Sequence, residues 1–373
     1  MRVHAASVFV DGRFIEATVE LEGARIVSVV QGRAGSVDLE FTGGHLVPGF
    51  IDAHCHGGGG AAFTEAERAS RVLEAHRRHG VTSMIASLVT DDEITLAAQL
   101  DGLAPLVRSG ELLGVHLEGP WLAHTHRGAH PADLLRNPEP APVQRLIARH
   151  PGIVRMVTIA PELPHAFEVI PQLRAAGVVV AVGHTAADYD ETLQAIGLGA
   201  TGATHLFNAM PTLHHREPGP VLALLDHADV VVELIADGVH VHPALVAHVM
   251  RIAGDRACLV TDAMAAADCG DGEYLLGRLT VQVRDGVARV ATGGDGAGSI
   301  AGSTLTLDRA LRNAVAYGVP LVLAVAAVTS TPARYLGFSD IGRIAAGAYA
   351  DLVHLDDDLE VRSVMRRGSL LHA

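Results

Sequence analysis

The sequence contains no lysine; all 28 of its basic side chains are arginine. Cysteine is nearly as scarce. Cys55, Cys258 and Cys269 are the three in 373 residues, and no two of them stand as CxxC. An odd, scattered set of thiols excludes a disulfide framework and fits a reduced, cytoplasmic protein. Positive charge is in deficit: the formal net charge is −14, which argues against nucleic acid and against an anionic membrane as partners. No apolar run reaches the roughly 20 residues that cross a bilayer. The most apolar stretch, from Asn313 onward, is broken by Gly318 and Pro320. The N-terminus meets Asp11 and Arg13 too soon for a secretory leader.

Apolar residues are abundant, at 49% of the chain, and so is histidine, with 22 residues. One hydrophobic core serves roughly 250–300 residues, so a chain of 373 should divide into a large unit and a smaller one. Residues 1–47 read as short strands with Asp11-Gly12 as a hairpin turn. Residues 336–373 have the same β character. Between them, 48–335 alternates apolar runs with helical segments. Eight runs have strand length: 49–54, 81–87, 113–118, 154–162, 177–184, 202–207, 230–237 and 257–262. Near-continuous apolar strands alternating with helices form a parallel sheet buried on both faces. Eight such units predict an α/β fold closed as a (β/α)8 TIM-type barrel, with an open doubly wound sheet as the alternative. The two terminal segments are expected to pair into one small β-sandwich domain beside it.

The ends of these runs carry the chemistry. The first ends in His54, with His56 just beyond; the third ends in Glu118, the fifth in His184, the eighth in Asp262, and His205 lies in the sixth. Active sites of eight-fold barrels lie at the C-terminal ends of the strands, so six metal-type or acid/base side chains should meet on one rim. Residues two apart share a strand face. His54 and His56 therefore point into the barrel mouth together, and Cys55 points away as a packed thiol. Single histidines such as His45, His76 and His354 are read as surface or packed residues. Imidazole and carboxylate donors without thiolate suit zinc or iron(II), and magnesium less well. Glu118, His184 and His205 supply the three ligands of a catalytic site. His116 shares a face with Glu118 and is expected to support the ligands from behind.

The segments "PGFIDAHCHGGGG", "GVHLEGPWLAHTHRGAHP", "VGHTAADYD", "GATHLFNAMPTLHHREPG", "IADGVHVHP", "LVTDAMAAADCGDGEY" and "IAGSTLTLDRAL" resemble the amidohydrolase superfamily and, within it, the N-acetylglucosamine-6-phosphate deacetylases. The likeness covers nearly the whole chain. It implies a divalent metal, one or two ions per chain, with zinc preferred and iron, manganese or cobalt as alternatives. The missing lysine excludes the subtype that bridges two metals through a carbamylated lysine; the glutamate of "HLEGP" is this family's substitute. The retained pair His54 and His56 leaves a second metal open.

The resemblance further implies Asp262 as the acid/base group and His130 as the residue that polarises the acetyl carbonyl. It places Ala129, His130, Asn208, Ala209, Arg216, His240 and the run Ile300, Ala301, Gly302 and Ser303 beside a phosphorylated amino sugar. It implies a homodimer with a shared active site, in which Arg216 reaches the neighbouring subunit's substrate. The expected reaction is hydrolysis of N-acetylglucosamine 6-phosphate to glucosamine 6-phosphate and acetate. The galacto isomer of the substrate is the nearest alternative. A cyclic amidohydrolase or nucleobase deaminase is a more distant one, because neither needs a phosphate clamp. A dead barrel serving as a scaffold is disfavoured by the intact ligand set.

Overall fold

The computed structural model describes residues 1–291 and 298–372. Eight parallel strands follow one another around the large unit: β1 (Phe50–Asp52), β2 (Val81–Val89), β3 (Gly114–Glu118), β4 (Val154–Ile159), β5 (Val179–Val182), β6 (Gly202–Ala203), β7 (Val231–Leu234) and β8 (Ala257–Leu259). Each pairs with its sequence neighbour. The seam between β8 and β1 closes just beyond the strands: the Asp262 N–H donates to the His54 carbonyl (2.8 Å), and Cys55 and Ala263 form a parallel bridge. Helices return the chain between strands. Glu93–Arg108 starts because the Asp92 side chain accepts from the Thr95 N–H (2.8 Å), and it buries Leu96, Leu100, Leu103 and Ala104, which recur at helical spacing. Among the described residues no helix is long and apolar enough to cross a membrane.

The terminal segments share a second sheet. His45–Pro48 pairs antiparallel with Leu352–Leu355, and both lie on one hydrogen-bonded path with Arg2–Val10, Arg13–Glu22 and Val361–Arg366. Val3, Val19, Leu46, Leu352 and Met365, drawn from both halves of that path, meet in one core. The Asp11-Gly12 turn has both residues at positive φ (46° and 77°), the two-residue turn whose twist suits a hairpin.

Two features depart from the sequence expectation. The sixth run forms a strand only at Gly202–Ala203, because His205 and Phe207 take left-handed backbone angles (φ 28° and 78°) that end the ladder. A three-stranded antiparallel sheet, Gly272–Leu276, Leu279–Arg284 and Val287–Val290, is inserted after β8. It packs Leu276, Val281 and Val283 against Val89 and Met264 at the barrel rim.

The glycine run after β1 is explained by close approach. Gly57–Gly58 pairs with Ala61–Ala62, and a Cβ on Gly57 would stand 2.4 Å from the Ala61 carbonyl oxygen. Gly59 and Gly60 turn the chain at φ 60° and 75°.

An ion-pair cluster ties three segments beside the seam. His79, which follows the helix Ala69–Arg78, lies 3.2 Å from Asp308 through Nδ1 and 3.2 Å from Asp268 through Nε2. Burial opposes charge on His79, but the two carboxylates outweigh it and raise its pKa. The stability contributed by His79 is therefore fully present below its ordinary pKa of about 6.5 and lost as pH rises through the raised value. Thermal denaturation should show His79→Ala costing more at pH 6 than at pH 9; an equal loss at both would remove the charge from this account.

Candidate metal centre and active site

The C-terminal ends of the strands place two imidazole pairs on either side of one carboxylate. On one side, His184 Nε2 and His205 Nε2 are 3.1 Å apart, and Glu118 Oε1 lies 3.2 Å and 3.1 Å from them. On the other, His54 Nε2 and His56 Nε2 are 3.2 Å apart, with Glu118 Oε2 3.1 Å from His56 and Glu118 Oε1 3.5 Å from His54. Asp262 Oδ1 reaches the second pair at 3.2 Å and 3.5 Å. All six side chains are buried.

This donor set fits divalent metal. Bonds of about 2.0–2.1 Å at tetrahedral angles put neighbouring ligands about 3.3–3.4 Å apart, close to the spacings seen here. The opposite ring nitrogens are mostly fixed by the protein. His54 Nδ1 meets Glu233 Oε2 at 3.1 Å, His56 Nδ1 meets the Ser87 carbonyl at 3.1 Å, and His184 Nδ1 donates to the His126 carbonyl at 2.9 Å. Such bonds set the tautomer and leave Nε2 free for an ion. His205 Nδ1 is buried without a hydrogen-bond partner among the described residues, so the polar contacts of that ring run through Nε2.

Charge in the site follows from burial and neighbours. Burial alone would raise the pKa of Glu118 and Asp262. The surrounding imidazoles outweigh it, holding Glu118 well below its ordinary range and bringing Asp262 to about 2. Burial drives His130 the other way, to about 4, against the pull of Glu118. His130 is therefore neutral at pH 7. The Thr90 N–H points at its Nδ1 (3.4 Å) and the Thr90 hydroxyl is 2.8 Å away. That assigns the ring proton to Nε2, which faces Glu118 Oε2 at 3.4 Å.

A cavity of about 490 Å³ opens onto these groups. His56, Glu118, His130, His184, His205 and Asp262 line it, and so do Ala129, Asn208, Ala209, His240, Ile300 and Gly302. Ala301 and Ser303 are buried beneath the wall. The Ser303 hydroxyl donates to the Thr261 carbonyl (2.6 Å), and its N–H donates to the Asp262 carbonyl (2.7 Å), pinning the loop that carries Asp262. Arg216 is not in this cavity. It is exposed on the loop after β6 and lines a separate cleft with Asp188, Pro211 and His214. His240 pairs with Asp237 (2.6 Å); the helix Pro243–Ala253 is capped instead by His242. Asn208 spends Nδ2 on the His205 carbonyl (3.1 Å).

Cys55 faces away from the cavity, with Sγ 3.3 Å from His76 Nε2. His116 lies behind His54 and is held by Ser87 Oγ (3.0 Å) and Thr158 Oγ1 (2.8 Å). The sequence reading misses Glu233. This fully buried carboxylate of β7 grips His54, lies 3.4 Å from the His205 N–H and takes the Tyr335 hydroxyl at 3.3 Å. A charge in the middle of the apolar run "VVVELIAD" is its signal, since an unpaired buried carboxylate is too costly to keep.

Because Glu118 belongs to both donor clusters, Glu118→Ala should empty the protein of divalent metal. His205→Ala and His54→Ala should each weaken one cluster only. Elemental analysis of purified variants checks this, and full metal content in Glu118→Ala would exclude the assignment.

Comparison with known proteins agrees with this architecture. A family model described as "Amidohydrolase family" matches residues 45–371. An N-acetylgalactosamine-6-phosphate deacetylase of Escherichia coli O157:H7 is 40% identical over 333 residues, covering 87% of each chain. An N-acetylglucosamine-6-phosphate deacetylase of Vibrio furnissii is 37% identical over 336 residues, 87% of this chain and 82% of the other. Among solved structures, N-acetyl-D-glucosamine-6-phosphate deacetylase from Mycobacterium smegmatis, in an aspartate-to-alanine variant complexed with N-acetyl-D-glucosamine-6-phosphate, superposes with a TM-score of 0.96. It is 46% identical, and the match covers 100% of this chain and 99% of that one. The chain belongs to the metal-dependent amidohydrolase family and, within it, to the N-acetylglucosamine-6-phosphate deacetylases.

Proposed function

We propose that the protein hydrolyses N-acetylglucosamine 6-phosphate to glucosamine 6-phosphate and acetate, in amino-sugar breakdown. The observation that carries this reading is the convergence, in one cavity of about 490 Å³, of a metal donor set, an ionised Asp262 and a neutral His130. A further support is the Mycobacterium smegmatis variant, which lacks an aspartate and is complexed with the acetylated sugar phosphate.

When bound, a divalent ion polarises the amide carbonyl and acidifies water; imidazole and carboxylate donors favour zinc, one or two ions, over iron, manganese or cobalt. Glu118, His184 and His205 would hold one ion and His54, His56 and Glu118 a second. Asp262, already ionised, accepts the proton of the attacking water and returns it to the departing nitrogen, so that C–N cleavage releases an amine and not an amide anion. The His130 Nε2–H donates to the acetyl oxygen as negative charge builds there. His240 lies on the cavity wall, which Arg127 also lines: burial opposes charge on His240, but Asp237 outweighs this and raises its pKa. It faces the substrate phosphate together with Asn208 and the backbone at Ala209. Ala129, Ile300 and Gly302 form walls around the sugar, and Ala301 and Ser303 support them from behind.

Arg216 completes the phosphate site from a second copy of the chain in a homodimer. Its place outside its own cavity supports that assignment. In this reading 48–335 is the catalytic domain, 1–47 and 336–373 form the supporting domain, and the enzyme works in the cytoplasm. Ala373 lies outside the described residues. N-acetylgalactosamine 6-phosphate is the second reading, favoured by the 40% identity to the Escherichia coli enzyme of that name.

Acetate release from N-acetylated sugars with and without 6-phosphate, in both gluco and galacto series, tests the substrate. Turnover independent of the phosphate would refute the reading. Asp262→Asn keeps the shape but cannot accept the proton. Its kcat should fall about 10²–10⁴-fold with substrate still bound, and near-normal turnover would move the role elsewhere. Arg216→Ala should lower kcat/KM for the phosphorylated sugar by about one to two decades and spare the unphosphorylated one. Mixing Arg216→Ala with Asp262→Asn chains should restore activity through a hybrid site. If the subunits exchange and no activity returns, the arginine serves its own subunit.

A further inference from the structure

The opposite end of the barrel holds another, partly open cavity. A cavity of about 430 Å³ lies between the N-terminal ends of the barrel strands and the terminal segments, and Arg108, Arg155, Arg367, Phe338 and Tyr349 line it. Its positive charge is unusual in a chain of formal charge −14.

Arg155, on β4, is the singular residue. Its guanidinium stacks on Phe338, 5.0 Å from the ring centroid. Its Nε is buried without a hydrogen-bond partner, and among the described residues it makes no ion pair. Burial alone acts on its pKa and lowers it. The chain accommodates the side chain tightly: a Cβ on Gly114, whose φ is 157°, would stand 2.6 Å from Arg155 Cβ. Arg108, the exposed last residue of the helix Glu93–Arg108, also has no ion pair among the described residues. Arg367 donates to the Gly110 carbonyl (2.8 Å) and lies 5.1 Å from the Tyr349 centroid.

The acids on the wall do not cancel this charge. Asp340 is taken by Arg25, at 3.0 Å. Asp351 accepts from the Arg367 N–H at 2.7 Å, and its pKa is raised by burial. A half-buried guanidinium without a counter-charge is costly to keep. An anion entering the cavity would remove that cost.

We propose that this cavity binds a small phosphate monoester, with its phosphate between Arg155 and Arg108 and its body along Phe338 and Tyr349. The volume is that of a small-metabolite pocket. Two guanidinium groups lining one cavity offer forked donors that suit a dianionic phosphate better than a single carboxylate. The site is separate from the metal-bearing cavity, and the inference does not depend on the reaction proposed for that cavity.

Calorimetric titration of the full-length protein with inorganic phosphate and with glycerol 3-phosphate tests the proposal, with acetate as the carboxylate control. The Arg216→Ala/His240→Ala double variant removes two side chains proposed to face phosphate in the metal-bearing cavity; binding of both phosphates should persist in it. Adding Arg155→Leu should weaken that binding about tenfold or more. Arg108→Ala, at an exposed helix end where the fold is not at risk, should weaken it in the same direction. Persistence of binding undiminished in both arginine variants would overturn the proposal, and so would its complete loss in the Arg216→Ala/His240→Ala background. Acetate binding as tightly as phosphate would overturn the choice of ligand class.

Discussion

Glu118 faces five imidazoles at once, those of His54, His56, His130, His184 and His205, and the geometry of the centre depends on that single carboxylate. It reaches His184 and His205 through Oε1 and His56 through Oε2, at 3.1–3.2 Å. The register of β3 against β2 and β4 sets its height, because Glu118 pairs with Val89 on one side and Thr158 on the other. A one-residue slip of β3 would turn Glu118 out of the barrel and bring Leu117 into it. The apolar residues flanking Glu118 in the strand therefore do more than fill the core. They fix where a negative charge can stand among histidines that would otherwise have no common partner.

The rim is held under backbone strain at the residues that matter most. His184, His205 and Asp262 all have positive φ (48°, 28° and 47°), unusual for residues with a Cβ. Each lies two or three residues past the end of its strand, where the chain turns, and each lines the cavity. Neighbouring bonds hold these turns. Ser303 fastens the segment after β8, Glu233 reaches the His205 N–H, and the Thr185 N–H donates to the Ala209 carbonyl at 3.1 Å. The rigidity of the site is thus distributed over hydrogen bonds from several separate segments.

Much of this was legible in the sequence. Strands buried on both faces leave a continuous apolar signature, and a polar residue at the end of such a run stands out; that is why His54, Glu118, His184 and Asp262 can be picked from the sequence alone. Glu233 is harder, because it sits inside an apolar run and its partner His54 is 179 residues away. The rim sheet after β8 carries the same Asp-Gly turn signal as the first hairpin, at Asp285 and Gly286 (φ 50° and 74°). It is missed although "LTVQVR" alternates apolar and polar residues, because its strands rest on residues of β2 and the β8 loop that only the tertiary fold brings near. Arg155 carries the same signal as Glu233, a charge inside an apolar run, but nothing in the sequence says whether it is paired. Its lack of a counter-charge is a property of the folded surroundings.

The pairing of His45–Pro48 with Leu352–Leu355 joins segments about three hundred residues apart, immediately before the strand that leads to His54. The Gly49 N–H, at that junction, donates to the Asp351 carbonyl (2.8 Å). Contacts of such sequence separation form late, because loop-closure entropy is spent before they give anything back. During synthesis, His45–Pro48 emerges early but lacks its C-terminal partner until almost the whole chain has left the ribosome. A nascent chain can form helices and pair inner strands in the meantime, yet the segment that leads into the first barrel strand has no sheet partner on its C-terminal side. The topology therefore leaves the joint between the two sheets to the end of translation, and truncated chains should carry an unpaired edge at His45–Pro48 that proteases can enter.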